Sequence, residues 1–187
     1  MALLEAGGIP LLEDASRPAD ADNPLGYHEY APVRSLPRDA AWVAGAAGRA
    51  VKVIDALLPR LPEGPAYRVI LMRRDLHAVV ASQDRMLARR GESAGQIGAR
   101  RLAAVLAAQR DEARAWLRAR PHVAWMELDY DGLLREPEPG LARLIAFAGL
   151  RASPRTLAGL IAPTGARRRS AEEAGPAAAA AGPFDEC

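Results

Sequence analysis

The segment YRVILMRRDLHAVVASQDRM, residues 67–86, joins a short apolar run to an amphipathic pattern through two arginines. The run Val69–Leu71 is uninterrupted and lies between Pro65 and charged residues, which is typical of a strand buried on both faces of a parallel sheet. Arg73 and Arg74 follow at the end of that strand. Open α/β sheets bind ligands outside the carboxyl ends of their strands, so the segment predicts a site for an anion.

The helix after the arginines is predicted from a cap and a periodic apolar face. Asp75 is a residue type suited to the N-cap position. Apolar residues then recur at helical spacing, namely Leu76, Val79, Val80 and Leu87. Ser82 lies two turns into this helix. Its hydroxyl reaches a ligand that Arg74 also contacts if the strand end and the helix face the same crevice.

Strand patterns alternate with helical patterns along the rest of the chain. Strands are predicted near residues 50–54, 67–72 and 122–128. Helices are predicted near residues 2–6, 75–90, 97–119, 138–149 and 154–161, with a loop-rich segment before about residue 40. The alternation indicates an α/β fold with a three-layer parallel sheet flanked by helices. One domain is expected over residues 1–163, followed by a disordered tail over 164–187 that is rich in Arg, Ala, Gly and Pro.

In order and spacing, these segments resemble the P-loop sulfotransferases, which transfer a sulfuryl group from 3′-phosphoadenosine 5′-phosphosulfate (PAPS). In that family an Arg that closes a strand and a Ser eight positions later hold the 3′-phosphate, and Arg74 and Ser82 have this spacing. Other segments similar to bacterial members are Leu4–Pro10, Asn23–Glu29, Ala50–Ile54, His122–Leu133, Pro137 and Leu141–Leu150. The resemblance covers about residues 2–160 and implies a fold like that of P-loop nucleoside triphosphate hydrolases.

The same resemblance implies roles for Tyr130 and Lys52. Tyr130 is similar to a family tyrosine near the adenine, although it is also explained as a packing residue between strand and helix. Lys52 is the single lysine among 25 basic residues. It resembles a strand-end lysine that stabilises charge on the sulfuryl group or the leaving phosphate. The alternative is a strand residue whose headgroup reaches water at the end of the sheet.

A sulfotransferase needs a general base, because the acceptor hydroxyl loses a proton as it attacks. Small-molecule members of the family often use a histidine two residues after the lysine, and Ile54 occupies that position here. Other branches use a glutamate. The acceptor-side candidates are Glu13, Asp14, His28 and Glu29, with Asp14 first and Glu29 second. Each is also explained as a loop charge or an exposed turn residue.

The family's phosphate-binding loop lies between its first strand and its first helix. Under the resemblance, residues 2–6 are the end of that helix, and Gly7 and Gly8 form its C-terminal cap. None of the 187 residues forms the strand, glycine, lysine and hydroxyl pattern of such a loop. We therefore expect a sulfotransferase domain that lacks its first strand and loop. It is active on a hydroxyl or amine acceptor if the complete protein supplies the loop, and otherwise it is a non-catalytic nucleotide-binding or degenerate remnant.

The net charge of +2 and the pI near 9.0 leave a third class open, an arginine-rich nucleic-acid-binding protein. The arginines between residues 100 and 120 are better explained as the solvated face of a long helix. Arg167, Arg168 and Arg169 either approach the 3′-phosphate or belong to a solvated tail, and the tail is favoured.

The remaining features predict the setting of the protein. A bias towards Ala, Arg, Gly and Pro suggests a bacterial source, and no run is apolar over a length that spans a bilayer. The single cysteine, Cys187, excludes an internal disulfide and fits a reducing cytoplasm. The three histidines show no metal-ligand spacing, so no metal is expected. The expected partners are the nucleotide co-substrate and an unidentified acceptor.

Overall fold

Two parallel strands form the sheet of this protein. The computed structural model describes residues 1–14, 16–20, 23, 26–89, 91 and 98–161. Strand β1 (Arg68–Arg73) pairs with β2 (Ala124–Asp129), in a register that runs from Arg68 opposite Ala124 to Arg73 opposite Asp129. Because the strands are parallel and in register, their carboxyl ends lie side by side at one edge of the sheet.

Helices connect the two strands and follow the second. The elements are α1 (Ala2–Ala6), α2 (Leu76–Arg89), α3 (Ala99–Arg118), α4 (Tyr130–Arg135) and α5 (Pro137–Ala148), and residues 154–161 are also helical. The predicted helices differ from these bounds by at most two residues at either end. Helix α4 was not predicted. It begins directly after β2 because the side chain of Asp129 caps it, accepting a hydrogen bond from the Asp131 N–H.

The prediction of a strand at residues 50–54 was wrong, and the described part of the chain has a two-stranded sheet rather than a larger one. Ala50 forms a single parallel bridge with Leu11, and its N–H and C=O bond to Pro10 and Leu12. No described strand continues this ladder, so residues 51–54 are outside any strand. The side chains still alternate, with Val51 and Val53 partly buried in a cluster and Lys52 and Ile54 exposed. The side chains therefore alternate as in a strand, but the backbone of residues 51–54 has no strand partner among the described residues.

Aliphatic side chains on both sides of the sheet build the core. Leu141, Leu144 and Leu157 are almost fully buried in one cluster that includes Met126 and Leu128 of β2. A second cluster joins α3 to β1 and to the 3₁₀ helix Asp55–Arg60, and its buried members are Leu58, Leu71, Ala113, Trp116, Leu117 and Val123. The packing holds α3 against the sheet. It thereby fixes where the charged residues of α3 lie relative to the ends of the strands.

The first residues of the chain are attached to the end of α5. Helix α1 ends at Gly7, as predicted, and Gly8 has a φ of +93°. Gly7 is buried, and a Cβ there would lie 2.8 Å from the side chain of Leu150. Its carbonyl accepts a hydrogen bond of 2.8 Å from the Arg151 N–H. The absence of a side chain at Gly7 therefore permits the close contact that places residues 8–14.

Candidate functional site

A cavity opens at the carboxyl ends of β1 and β2, where the sequence predicted an anion site. Its volume is about 550 Å³. It is lined by the residues after both strands and by two arginines of α3, in full Arg73, Arg74, Asp75, Leu76, His77, Arg110, Arg114, Asp129, Asp131 and Arg135. Five of these ten residues are arginines and three are aspartates. The cavity is therefore polar, and both signs of charge are present in its lining.

The aspartates of this cavity organise its backbone. Asp129 accepts a hydrogen bond of 2.9 Å from Arg73 Nη2 while it caps α4. Asp131 accepts from the Asp75 N–H at 3.2 Å. Asp75 caps α2, as predicted, through a 2.8 Å bond from the Ala78 N–H to its Oδ1. These bonds lock the β1–α2 turn to the start of α4.

Arg74 is half-buried between these two turns. Its guanidinium lies over the ring of Tyr130, 4.8 Å from the ring centroid. Its Nε is buried and has no hydrogen-bond partner among the described residues. Ser82 is half-buried on the second turn of α2. The structure thus places Arg74 against Tyr130, two residues that the sequence assigned to one nucleotide.

Arg110 of α3 was assigned from sequence to a solvated helix face, and the structure corrects this. Its Nη1 donates to the carbonyl of Arg74 at 3.2 Å, and its Nε is buried without a partner among the described residues. The available signal was the spacing of four between Arg110 and Arg114, which places both on one side of a helix. Composition alone did not reveal which side faces the strand ends.

Arg114 forms ion pairs with two carboxylates beside the cavity. Its Nε and Nη2 donate to the two carboxylate oxygens of Glu127 at 2.5 and 3.1 Å, and its Nη1 donates to Asp111 at 3.1 Å. The hydrogen bonds from Arg114 lower the pKa of Glu127 below its ordinary value. The bond to Glu127 likewise raises the pKa of Arg114. A fork of this kind holds α3 to β2 with defined geometry.

Lys52 belongs to a second group of polar residues, on the segment before β1. Its Nζ donates to the carbonyl of Tyr27 at 3.0 Å and lies 3.8 Å from Oε1 of Glu29. Glu29 also accepts from Arg17 at 3.1 Å and from Arg34 at 2.8 Å. Burial raises the pKa of Glu29, but the bonds from Arg34 and Arg17 outweigh burial and lower it overall. The structure therefore brings two of the predicted catalytic residues, Lys52 and Glu29, into contact range.

Asp14 is engaged by the backbone. Its Oδ1 accepts from the Ser16 N–H at 2.9 Å and its Oδ2 from the Ala31 N–H at 2.7 Å. A hydrogen bond from the Ser16 side chain, followed by these backbone bonds, lowers the pKa of Asp14. The carboxylate thus joins the loop after Leu12 to the start of the 3₁₀ helix Ala31–Ser35.

His28 and Glu13 form a pair in the same region. His28 Nδ1 lies 2.6 Å from Glu13 Oε2, and His28 has a φ of +50°.

Burial lowers the pKa of the Met1 amino group, Lys52 lowers it further, and Glu5 and Glu13 raise it. Between described residues, no hydrogen bond or ion pair joins the polar residues around Lys52 and His28 to the arginine cavity.

Comparison with known protein families settles the class of the protein. A model described as the sulfotransferase family matches residues 12–154. The chain belongs to the sulfotransferase family. The searches of curated proteins and of solved structures returned no match.

Family membership implies a transferase with a P-loop-like fold and a nucleotide co-substrate. The match contains the candidate residues of this sulfotransferase-family chain, namely Asp14, Glu29, Lys52, Arg74, Ser82 and Tyr130. Arg167, Arg168 and Arg169 lie outside the described residues. In the ranges that the structure describes, no three or more His, Cys, Asp or Glu side chains are grouped to hold a metal ion. No helix of the described chain has both the length and the apolarity needed to cross a membrane.

The Arg114–Glu127 pair gives a prediction on stability and pH. Because the pKa of Glu127 is depressed in the folded state, its contribution is present above the ordinary value of 4.5 and is lost as pH falls through the folded value. Glu127→Gln should lower the free energy of unfolding at pH 7 by on the order of 1 kcal/mol, since the pair is partly solvated. Urea denaturation measured from pH 7 to pH 3 should show the two proteins converging below about pH 4.5.

The matched control is Glu112→Gln, an exposed carboxylate on the same helix as Arg114. Its difference from wild type should not depend on pH in this way. A constant difference between Glu127→Gln and wild type at all pH values would show that the ion pair is not its cause.

Proposed function

We propose that this protein is a PAPS-dependent sulfotransferase that moves a sulfuryl group to an acceptor hydroxyl or amine. Its membership of the sulfotransferase family supports the reaction class. The observation that carries the nucleotide assignment is the arginine cavity at the strand ends, in which the buried Nε–H groups of Arg74 and Arg110 lack acceptors among the described residues. Buried donors are rarely left unsatisfied, so they fit a phosphate group as acceptor.

In this proposal Arg74 and Ser82 hold the 3′-phosphate of the nucleotide. Arg74 supplies a guanidinium whose Nε has no hydrogen-bond partner among the described residues, and Ser82 supplies a hydroxyl from the helix that Asp75 caps. Tyr130 lies beside Arg74, in the place where the adenosine of the same nucleotide is proposed to bind. The fit of these residues to PAPS rests on their charge and donors, and no metal is needed to hold the phosphate.

Lys52 is proposed to act at the other end of the co-substrate. As the acceptor oxygen bonds to sulfur, the bond from sulfur to the bridging phosphate oxygen breaks, and negative charge develops on the leaving phosphate. An ammonium placed there stabilises that charge. The contacts of Lys52 with Tyr27 and Glu29 hold its headgroup on the acceptor-side segment. They also leave it 41% exposed, so it is accessible to a ligand.

The general base is proposed from the acceptor-side residues. Asp14 and Glu29 stay candidates, but each accepts hydrogen bonds at both carboxylate oxygens and has a lowered pKa, which weakens a carboxylate as a base. His28 differs because its Nδ1 contacts Glu13 and leaves Nε2 for a substrate proton. A carboxylate beside Nδ1 orients the ring and stabilises the imidazolium that forms. The contacts therefore favour His28 with Glu13 over the two carboxylates alone.

A non-catalytic nucleotide-binding protein or degenerate remnant is the second candidate. Both candidates require the nucleotide site, and only the first requires turnover. The cytoplasmic location, the bacterial source and the acceptor as partner also stay predictions.

Nucleotide binding is tested by thermal and chemical unfolding with 3′,5′-adenosine diphosphate. At a hundred times its dissociation constant, the ligand should add about 2.7 kcal/mol to the stability of the wild-type chain. Arg74→Ala should lose most of this gain, because it removes a charged donor, and Ser82→Ala should lose a smaller part. The unliganded unfolding curve of each variant controls for damage to the fold. Equal ligand responses in all three proteins would remove both residues from the 3′-phosphate site.

The role of Lys52 is tested by turnover in a protein that carries a phosphate-binding loop before Met1. Lys52→Ala should lower kcat by about 100-fold while the affinity for the nucleotide changes little, because its contact is made as charge develops. The assay measures release of 3′,5′-adenosine diphosphate from PAPS over a panel of alcohols, phenols and amines. Arg38→Ala, an exposed cation on the same segment, is the control. Unchanged kcat in Lys52→Ala would reject the assignment.

The base is tested in the same protein by the turnover of four variants. We expect His28→Asn to lower kcat by about 100-fold, since asparagine tolerates the positive φ but accepts no proton. Glu13→Gln should lower kcat less, and Asp14→Asn and Glu29→Gln should lower it least. If Asp14→Asn or Glu29→Gln lowers kcat by about 100-fold and His28→Asn leaves it unchanged, that carboxylate is the base.

A further inference from the structure

The arginines at the cavity divide into paired and unpaired ones. Arg73 is neutralised by Asp129 at 2.9 Å, and Arg114 by Glu127 and Asp111. Arg74, Arg110 and Arg135 have no carboxylate within ion-pair distance among the described residues, although all three line the same cavity. Arg135 is exposed to solvent, whereas Arg74 and Arg110 are partly buried. Two partly buried positive charges therefore lie at one cavity without an ion pair to a described carboxylate. A phosphate monoester carries about −1.5 to −2 at neutral pH, which matches this pair.

Arg74 and Arg110 lack hydrogen-bond acceptors at Nε as well as ion-pair partners among the described residues. Both Nε atoms are buried, and both lack an acceptor among the described residues. An unsatisfied buried donor costs free energy, and the cost is larger for a charged group. Two such donors on neighbouring arginines indicate that their acceptor is a ligand. The paired arginines of the same cavity show no comparable deficit, since the Nε of Arg114 bonds to Glu127.

Arg74 and Arg110 are also fixed relative to each other. Arg110 Nη1 donates to the backbone carbonyl of Arg74 at 3.2 Å, so the helical side chain is tied to the end of β1. Arg74 in turn lies over Tyr130. Both guanidinium groups are therefore oriented before a ligand arrives, which reduces the side-chain entropy lost on binding.

We propose that Arg110 joins Arg74 in a two-guanidinium clamp for a phosphate monoester, and that this clamp makes nucleotide binding depend on the 3′-phosphate. The inference rests on the proposed function, because it takes PAPS and 3′,5′-adenosine diphosphate as the ligands. It adds a residue of α3 to the site. It also assigns specificity, since a nucleotide without the 3′-phosphate leaves both arginines buried and unpaired.

The test measures dissociation constants by calorimetry for the chain as it is, with 3′,5′-adenosine diphosphate, 5′-adenosine monophosphate and inorganic phosphate as probes. Wild type should bind the diphosphate at least tenfold more tightly than the monophosphate. Arg110→Ala should weaken the diphosphate about 10- to 100-fold, as expected for loss of a charged hydrogen bond, and leave the monophosphate within about twofold. Arg118→Ala, an exposed arginine on the same helix, should change neither.

Arg110→Lys keeps the positive charge but loses the planar set of guanidinium N–H donors. Its dissociation constant for the diphosphate should lie between those of wild type and Arg110→Ala. An Arg74→Lys background separates direct contact from positioning. If Arg110 contacts the phosphate, Arg110→Ala still weakens the diphosphate at least threefold in that background. If it acts only by orienting Arg74, the second substitution adds nothing, and the clamp is overturned.

The remaining outcomes are equally decisive. Equal weakening of both nucleotides by Arg110→Ala, or weakening of neither, overturns the clamp but leaves the proposed function standing. A wild-type chain that binds the two nucleotides equally, or binds neither, overturns the proposed function and the clamp together. Tight binding of inorganic phosphate that depends on Arg110 without any nucleotide preference identifies a general anion site and also overturns the proposal.

Discussion

The parallel pairing of β1 with β2 is the constraint on which the candidate site depends. Its register sets Arg73 beside Asp129 at the carboxyl edge, and the chain then turns into α2 on one strand and α4 on the other. A shift of one residue would exchange the faces of the strand and separate Arg74 from Tyr130. The buried clusters on both sides of the sheet resist such a shift, because Leu71, Met126 and Leu128 would leave the core.

Charge is distributed unevenly at this edge, because some of its arginines pair with carboxylates and others do not. The acidic residues nearby bond to two arginines and to backbone N–H groups. Their pairs fasten α3 to β2 and α2 to α4. Arg74, Arg110 and Arg135 have no carboxylate partner among the described residues, and the Nε atoms of the first two are buried. The same residue type therefore performs a structural role and, in our proposal, a binding role within one cavity, and the partner of each arginine distinguishes the two.

The segment before β1 is held by side-chain bonds more than by regular structure. Asp14, Glu29 and Lys52 connect loops that lie far apart in sequence, and a single backbone bridge joins Leu11 to Ala50. Packing of Val33, Leu36 and Val43 supports this region from the interior. Such an arrangement brings basic, acidic and imidazole groups together without a helix or strand to carry them. It is a common way for an enzyme scaffold to present reactive residues on loops.

The sequence by itself determined the elements whose signal is local. The apolar run before Arg73, the cap at Asp75 and the helical periodicity of α2, α3 and α5 each depend on residues a few positions apart, and the structure contains all of them. The order of the motifs likewise indicated the sulfotransferase family, which the match over residues 12–154 shows. The nucleotide residues Arg74, Ser82 and Tyr130 were proposed from that resemblance.

Only the tertiary structure decided which residues meet. Residues 50–54 alternate as a strand should, yet a strand requires a neighbouring backbone that the local sequence does not specify, and only Ala50 has one. Arg110 and Arg114 look alike in a helical pattern, whereas the docking of α3 gives one a carboxylate and leaves the other a buried unpaired Nε. The pairing of His28 with Glu13 also spans a loop. Contacts of this kind depend on how distant segments fold against each other, and periodicity within a segment carries no information about them.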